Sequence, residues 1–177
     1  MELTSFSIRH FNNTLDLFSG KEIKYSSGWF MDFGKFGCDI LNQDKKIVYK
    51  ITKQFQFWKW KMVYHIKKNN DTLSDLISQN NRKTIYAVDV DQIHYEIKIH
   101  YKKKLSIYKN AIKIAEIDES FSVENYKENI KFLVLNPKDL EICFMLFSCL
   151  KIGEVGGNKK PTFTSQKQLE VNEDPWS

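Results

Sequence analysis

The sequence predicts a mainly β protein, an antiparallel β-barrel closed around one buried C-terminal helix. Two observations predict it. Residues 136–153, NPKDLEICFMLFSCLKIG, carry helix start and stop signals around a segment that is apolar on every side. Ahead of it lie eight to twelve short runs, many with the two-residue alternation of half-buried strands. A helix without a polar stripe has to be enclosed on all sides, and this one is shorter than the ~20 apolar residues a membrane span needs. The strands are what remains to enclose it. A sandwich or a lipocalin-like barrel would leave the helix outside, where it would need a polar face.

Taken in order, residues 2–11 and 14–25 read as short strands separated by Asn12-Asn13, and Gly28 and Gly34–Gly37 add turn signals among aromatic residues. FGCDIL from Phe36, the turn NQDKK and IVYKIT form a hairpin, with Ile47, Tyr49 and Ile51 on one face. Phe55–Ile66, FQFWKWKMVYHI, reads as a single half-buried strand. Trp58, Trp60, Met62, Tyr64 and Ile66 would face in, and Phe57, Lys59, Lys61, Val63 and His65 out. Thr72–Gln79 fits either a helical turn or a strand. TIYAVDV and HYEIKIHY are strands, the second with Tyr95, Ile97, Ile99 and Tyr101 inward against His94, Glu96, Lys98 and His100.

Lys102–Lys104 form a loop or an exposed strand end. LSIYK, a turn at Asn110 and AIKIAEID make another hairpin, whose irregular parity predicts a bulge near Ile114-Ala115. Ile130–Leu135 is apolar on both faces apart from Lys131 and should be deeply buried.

The helix follows at once. Asn136 suits an N-cap, Pro137 the first helical position and Asp139 the positive end of the dipole, while Gly153 supplies the stop. Ser148 is the one polar side chain in the central turns, where it can bond its own backbone carbonyl. Residues 154–177 are polar and aperiodic, and read as a disordered tail after a domain spanning 1–153.

With 42% hydrophobic residues, 14% aromatics, three prolines and seven glycines in 177 residues, the chain suits one domain with a full core. The three cysteines form no metal or redox motif, which favours a reducing compartment. The N-terminus shows no secretory leader and no stretch suits a bilayer span, so a cytoplasmic protein is expected. The net charge of +5 hides an uneven distribution: residues 45–104 hold fourteen Lys/Arg against five Asp/Glu. Such a surplus suits a cationic face for phosphate-bearing partners, and equally a solvated lysine-rich surface.

In element order the chain resembles the tubby C-terminal-like superfamily, which includes LURP-one-related proteins and phospholipid scramblases, and within it the compact bacterial-type members. The resemblance covers roughly Phe36–Gly153 and rests on FGCDILNQDKKIVYKI, the aromatic run, YEIKIHYKKKLSIYKNAIKIAEID and IKFLVLNPKDLEICFMLFSCLKIG. It implies a barrel of about twelve strands threaded by the helix at 137–152. The signature segments of animal and plant tubby proteins are not recognisable here, nor are the proline-rich and calcium-binding segments of scramblases, so none of their binding residues carries over.

Catalytic and metal-binding patterns are lacking. His94-Tyr95-Glu96 matches half of a zinc-deaminase signature without its P-C-x-x-C partner. No nucleophile–base set and no glycine-rich phosphate loop occur, and no cofactor is expected. Single-stranded nucleic acid is disfavoured because alternation would put Trp58 and Trp60 opposite Lys59 and Lys61. Anionic phospholipid or phosphoinositide-like head groups need only a cationic surface. Lys59, Lys61, Lys98, Lys102, Lys103 and Lys104 are the candidate contacts. The reading is a non-enzymatic module docking on anionic lipid at the cytoplasmic membrane surface. The alternative is a protein-interaction module with no lipid role.

Overall fold

The computed structural model of the chain describes residues 3–69, 71–124, 127–156 and 169–176. It is a closed barrel of twelve antiparallel strands: β1 (Thr4–Phe11), β2 (Thr14–Ser19), β3 (Glu22–Asp32), β4 (Lys35–Asn42), β5 (Ile47–Gln56), β6 (Lys61–Lys68), β7 (Asp71–Ser78), β8 (Ile85–Val90), β9 (Ile93–Ile99), β10 (Lys104–Lys109), β11 (Ile112–Glu124) and β12 (Lys127–Val134). Each strand pairs with its neighbours in sequence, and β1 closes the ring on β12 from Thr4↔Val134 to His10↔Glu128. A 3-10 turn at Pro137–Asp139 leads into the one α-helix, α1 (Leu140–Lys151).

Period-two alternation supplies the inner wall. Ile8, Leu17, Ile40, Ile51, Ile66, Leu76, Ile97, Ile107, Ile117 and Phe132 are all fully buried. Along α1, each of the seven consecutive residues Cys143–Cys149 is at most 1% exposed. Seven residues make nearly two turns, so no direction around the axis meets solvent. Inside a closed barrel, that places the helix in the lumen, as its lack of a polar stripe demands.

Both helix ends are tied to the wall. Asn136 accepts the backbone N–H of Lys138 at 3.0 Å. Glu141 accepts hydrogen bonds from the hydroxyls of Tyr25 (3.0 Å) and Tyr49 (2.7 Å), and from Lys68 (3.2 Å). Burial raises the Glu141 pKa, but the bonds from Tyr49, Lys68 and Tyr25 outweigh it and hold the carboxyl below its ordinary value. At the other end Lys151 is buried, yet Glu119 and Glu154 beside it keep its ammonium charged, where it also complements the helix dipole. Gly153, at φ +91°, stops the helix.

The bulge is where parity placed it: Ile107 pairs with Ala115 and Tyr108 with Lys113, leaving Ile114 as the extra residue. Other expectations need correction. Residues 14–25 are two strands, β2 and the start of β3, reversing at Gly20-Lys21. Ser148 donates to the Ser27 hydroxyl at 3.1 Å rather than to its own backbone. Thr72–Gln79 falls within strand β7 and its end.

Phe55–Ile66 is not one strand. The chain reverses through a 3-10 turn at Phe57–Lys59 and a left-handed Trp60 (φ 54°), so Gln56 pairs with Lys61. β9 stops at Ile99, which leaves Tyr101 exposed in a turn and His100 buried. Nor is the whole of 154–177 a disordered tail. Residues 169–176 lie against β9–β11, with the Glu170 N–H bonded to the Ile99 carbonyl at 3.1 Å. The remainder of that tail, 157–168, lies outside the described residues.

Two outcomes follow. Phe144→Asp should abolish cooperative folding, because an unpaired charge in the lumen costs several kcal/mol against a total of roughly 5–15; a soluble variant with a sharp melt would refute lumenal burial. Glu141→Gln should cost about 1 kcal/mol at neutral pH, allowing for its partial exposure. Because the folded pKa is depressed, that contribution is complete above the ordinary Glu value of 4.5 and fades as pH falls through the folded value. Melting temperatures of the two proteins should therefore converge on acidification, and a constant gap would contradict the Glu141 assignment.

Candidate functional site: an aromatic and basic rim

In an up-and-down barrel, alternate turns share a rim. One rim surrounds the start of the helix. The other, the exit rim, surrounds its end, where Lys53 donates to the Ile152 carbonyl (2.6 Å), the Trp29 indole to the Glu154 carbonyl (2.6 Å) and Gly156 pairs with Asn12. The β1–β2, β3–β4, β5–β6, β7–β8 and β9–β10 turns all lie at the exit rim.

Every exposed aromatic side chain among the described residues is at this rim: Phe11, Phe30, Phe33, Phe55, Phe57, Trp58, Trp60 and Tyr101, with Met31 beside them. The exposed large apolar side chains of the opposite rim are the isoleucines Ile23, Ile47 and Ile112. Four of the exit-rim turns are also cationic. Residues 30–35, 55–61, 79–84 and 100–104 hold eight Lys/Arg against the single Asp32, more than the whole chain's net charge of +5.

The β5–β6 tip is an aromatic knot. The Trp60 ring lies 5.5 Å from Phe55 and 5.5 Å from Phe57, at interplanar angles of 74° and 62°, and Phe57 meets Trp58 at 6.2 Å. The Lys83 ammonium sits 4.4 Å from the Phe55 centroid. Trp58 is 96% exposed. The neighbouring β3–β4 hairpin presents Phe33, 99% exposed, at φ 45°, followed by Gly34 at φ 76°. A two-residue hairpin with positive φ at both positions favours Asn-Gly. A bulky aromatic there is strained and gains no packing in return.

Of the six lysines expected to meet a ligand, Lys59, Lys61, Lys102 and Lys103 are at this rim. Lys102 and Lys103 both adopt left-handed backbone (φ 58° and 59°) in the turn. Lys104 begins β10 and is half-buried against Asp118 at 3.5 Å. Lys98 stands apart on the barrel wall, paired with Glu96 at 3.2 Å and over the Tyr108 ring. Sequence reading put Phe57 on the outer face, where it is, but placed Trp58 and Trp60 inside and did not single out Phe33. The signal available was Gly34 after Phe33; the aromatic run has no Gly, Asn, Asp or Pro to mark its reversal.

The remaining motif residues fall elsewhere. His65 pairs with Asp75 and His94 with Asp89, each at 2.7 Å on the outer wall. Among the described residues no helix is long and apolar enough to cross a membrane. Comparison with known protein families, curated proteins and solved structures returns no match, so the rim is read from its own chemistry.

Phe33→Asn restores the favoured Asn-Gly turn. It should raise stability by about 1 kcal/mol, a gain of roughly 2–4 °C in melting temperature. A lower melting temperature would mean that the Phe33 ring stabilises the fold.

Proposed function

We propose that this chain is a non-enzymatic, tubby-like barrel that docks its exit rim on the surface of an anionic membrane. The observation that carries this reading is the coincidence of all the exposed aromatics among the described residues with eight cations on one rim. Membrane interfaces favour that mixture: amphipathic rings sit at the head-group level, and each nearby cation gains about 1 kcal/mol from anionic lipid. Phe33 and Trp58 form the two most exposed points, and Lys59, Lys61, Lys102 and Lys103 flank them. Lys104, tied to Asp118, contributes to the field of the rim, and Lys98, on the wall, is dropped from the contact set.

The earlier objection to single-stranded nucleic acid, that tryptophans and lysines occupy opposite faces, lapses because they share one turn. A different objection replaces it. The rings of the β5–β6 tip meet edge to face, at 62–82°, and offer no ladder of parallel faces for successive bases. The flat lipid surface is the better fit to a ring of tips.

Vesicle co-sedimentation checks the reading. Binding should require anionic lipid and weaken as salt rises. It should fall at least fivefold in Trp58→Ala, and again when Lys102 and Lys103 become glutamates. An absence of binding to anionic vesicles at low salt would overturn it. Retention of a single-stranded oligonucleotide in its place would assign the rim to nucleic acid.

A further inference from the structure

Outward-facing residues of a barrel wall ordinarily meet water. On β10–β12 a lateral row does not. Ser106, Glu116 and Leu133 lie opposite one another in register, alternate with lumenal residues, and are at most 6% exposed. Lys113 and His100 beside them are also buried.

Residues 170–176, EVNEDPW, form much of the cover. The Glu116 carboxylate accepts the Lys113 ammonium, the Asn172 side-chain amide (3.2 Å) and the Trp176 backbone N–H (3.0 Å). Lys113 also donates to the Asp174 carbonyl and lies 4.8 Å from the Trp176 ring centroid. His100 donates from Nδ1 to the Glu170 carbonyl (3.1 Å), so its neutral Nε2 accepts from the Ser106 hydroxyl (2.9 Å). The Thr84 hydroxyl meets the Glu170 carboxylate at 3.2 Å.

Two features separate this contact from ordinary packing. The hydrophobic core cluster contains none of residues 169–176, and the barrel closes through β1 and β12 without them. The seat itself is polar. With the segment gone, Glu116, Lys113 and Ser106 would meet water on an outer wall, where an apolar groove would instead be left bare. Such a seat can stand empty.

The geometry points to a peptide-recognition groove on the outer face of β9–β11, selective for a segment bent so that an Asn and a Trp four residues apart meet one carboxylate, and filled here by the chain's own residues 170–176 as a releasable occupant. Lys113 and Glu116 read the segment together. The carboxylate takes its donors, and the ammonium takes a carbonyl and the aromatic face. The attached copy has the advantage of high effective concentration over any free peptide.

The test uses the full chain and a fluorescent peptide with the sequence of residues 169–177. In the full-chain variant Trp176→Ala, which weakens the attached occupant, the peptide should bind at least tenfold more tightly than to the unaltered chain. Adding Glu116→Gln should reverse that gain, and a peptide with alanines for its Asn and Trp should not bind. The proposal is overturned if the Trp176→Ala chain melts cooperatively yet binds the peptide no better than the alanine control, or if Glu116→Gln leaves binding unchanged. It is also overturned if Trp176→Ala prevents folding, since the segment would then be part of the fold.

Discussion

A twelve-residue helix with no polar side to show to water constrains everything else in this molecule. Its burial requires a wall in every direction, and a wall without edges is a closed barrel. Each strand therefore spends one face on the helix and the other on solvent, which is the alternation seen along the chain. The ends of the helix are the only places where its backbone and its two charged side chains can meet partners. There Tyr25, Tyr49 and Lys68 hold Glu141, and Glu119 and Glu154 hold Lys151. These pairs fix how deeply the helix sits, since sliding by a turn would bury both charges away from their partners at several kcal/mol.

Filling the lumen with a helix removes the usual ligand cavity of a β-barrel and leaves the rims and the outer wall for function. The two rims differ. The entry rim combines loops with the tyrosine and lysine partners of Glu141. The exit rim presents large apolar surface on hairpin tips with positive-φ aromatic residues at Phe33 and Trp60. Phe33 is almost entirely exposed and makes no packing that the fold needs, whereas Trp60 closes the β5–β6 turn against Phe55 and Phe57 with half its surface still exposed. A costly conformation combined with exposed apolar area is the feature that the proposed membrane docking would use.

The fold was legible in the sequence because its main determinant is long and unambiguous. The cap residues, the all-round apolar helix and the parity of strands such as Tyr95-Glu96-Ile97 all point one way, and even the slip of register at Ile114 shows as broken alternation. The site was less legible. In FQFWKWKMVYHI a hairpin tip and a half-buried strand have the same hydropathy, and the reversal depends on a left-handed Trp60 that no turn residue announces. Charge alone picked out six lysines without showing where they stand: Lys59, Lys61, Lys102 and Lys103 lie in exit-rim turns, Lys104 begins β10, and Lys98 is on the wall beside Glu96 and Tyr108. The docked segment 169–176 was missed because it is held by polar contacts to positions on the barrel's outer face, and such contacts leave no periodic mark.

The most direct measurement of the account is one of orientation at a membrane. The three cysteines, Cys38, Cys143 and Cys149, are all buried, so a cysteine placed at an exposed site can be labelled selectively with an environment-sensitive fluorophore. Met31→Cys puts the label on the exit rim and Ile112→Cys on the opposite one, both positions being 65% exposed. On adding anionic vesicles, the label at position 31 should shift to the blue and be quenched by brominated lipid chains, while the label at 112 stays in water. A response at 112, or none at either position, would contradict the assignment of the exit rim as the membrane-facing surface.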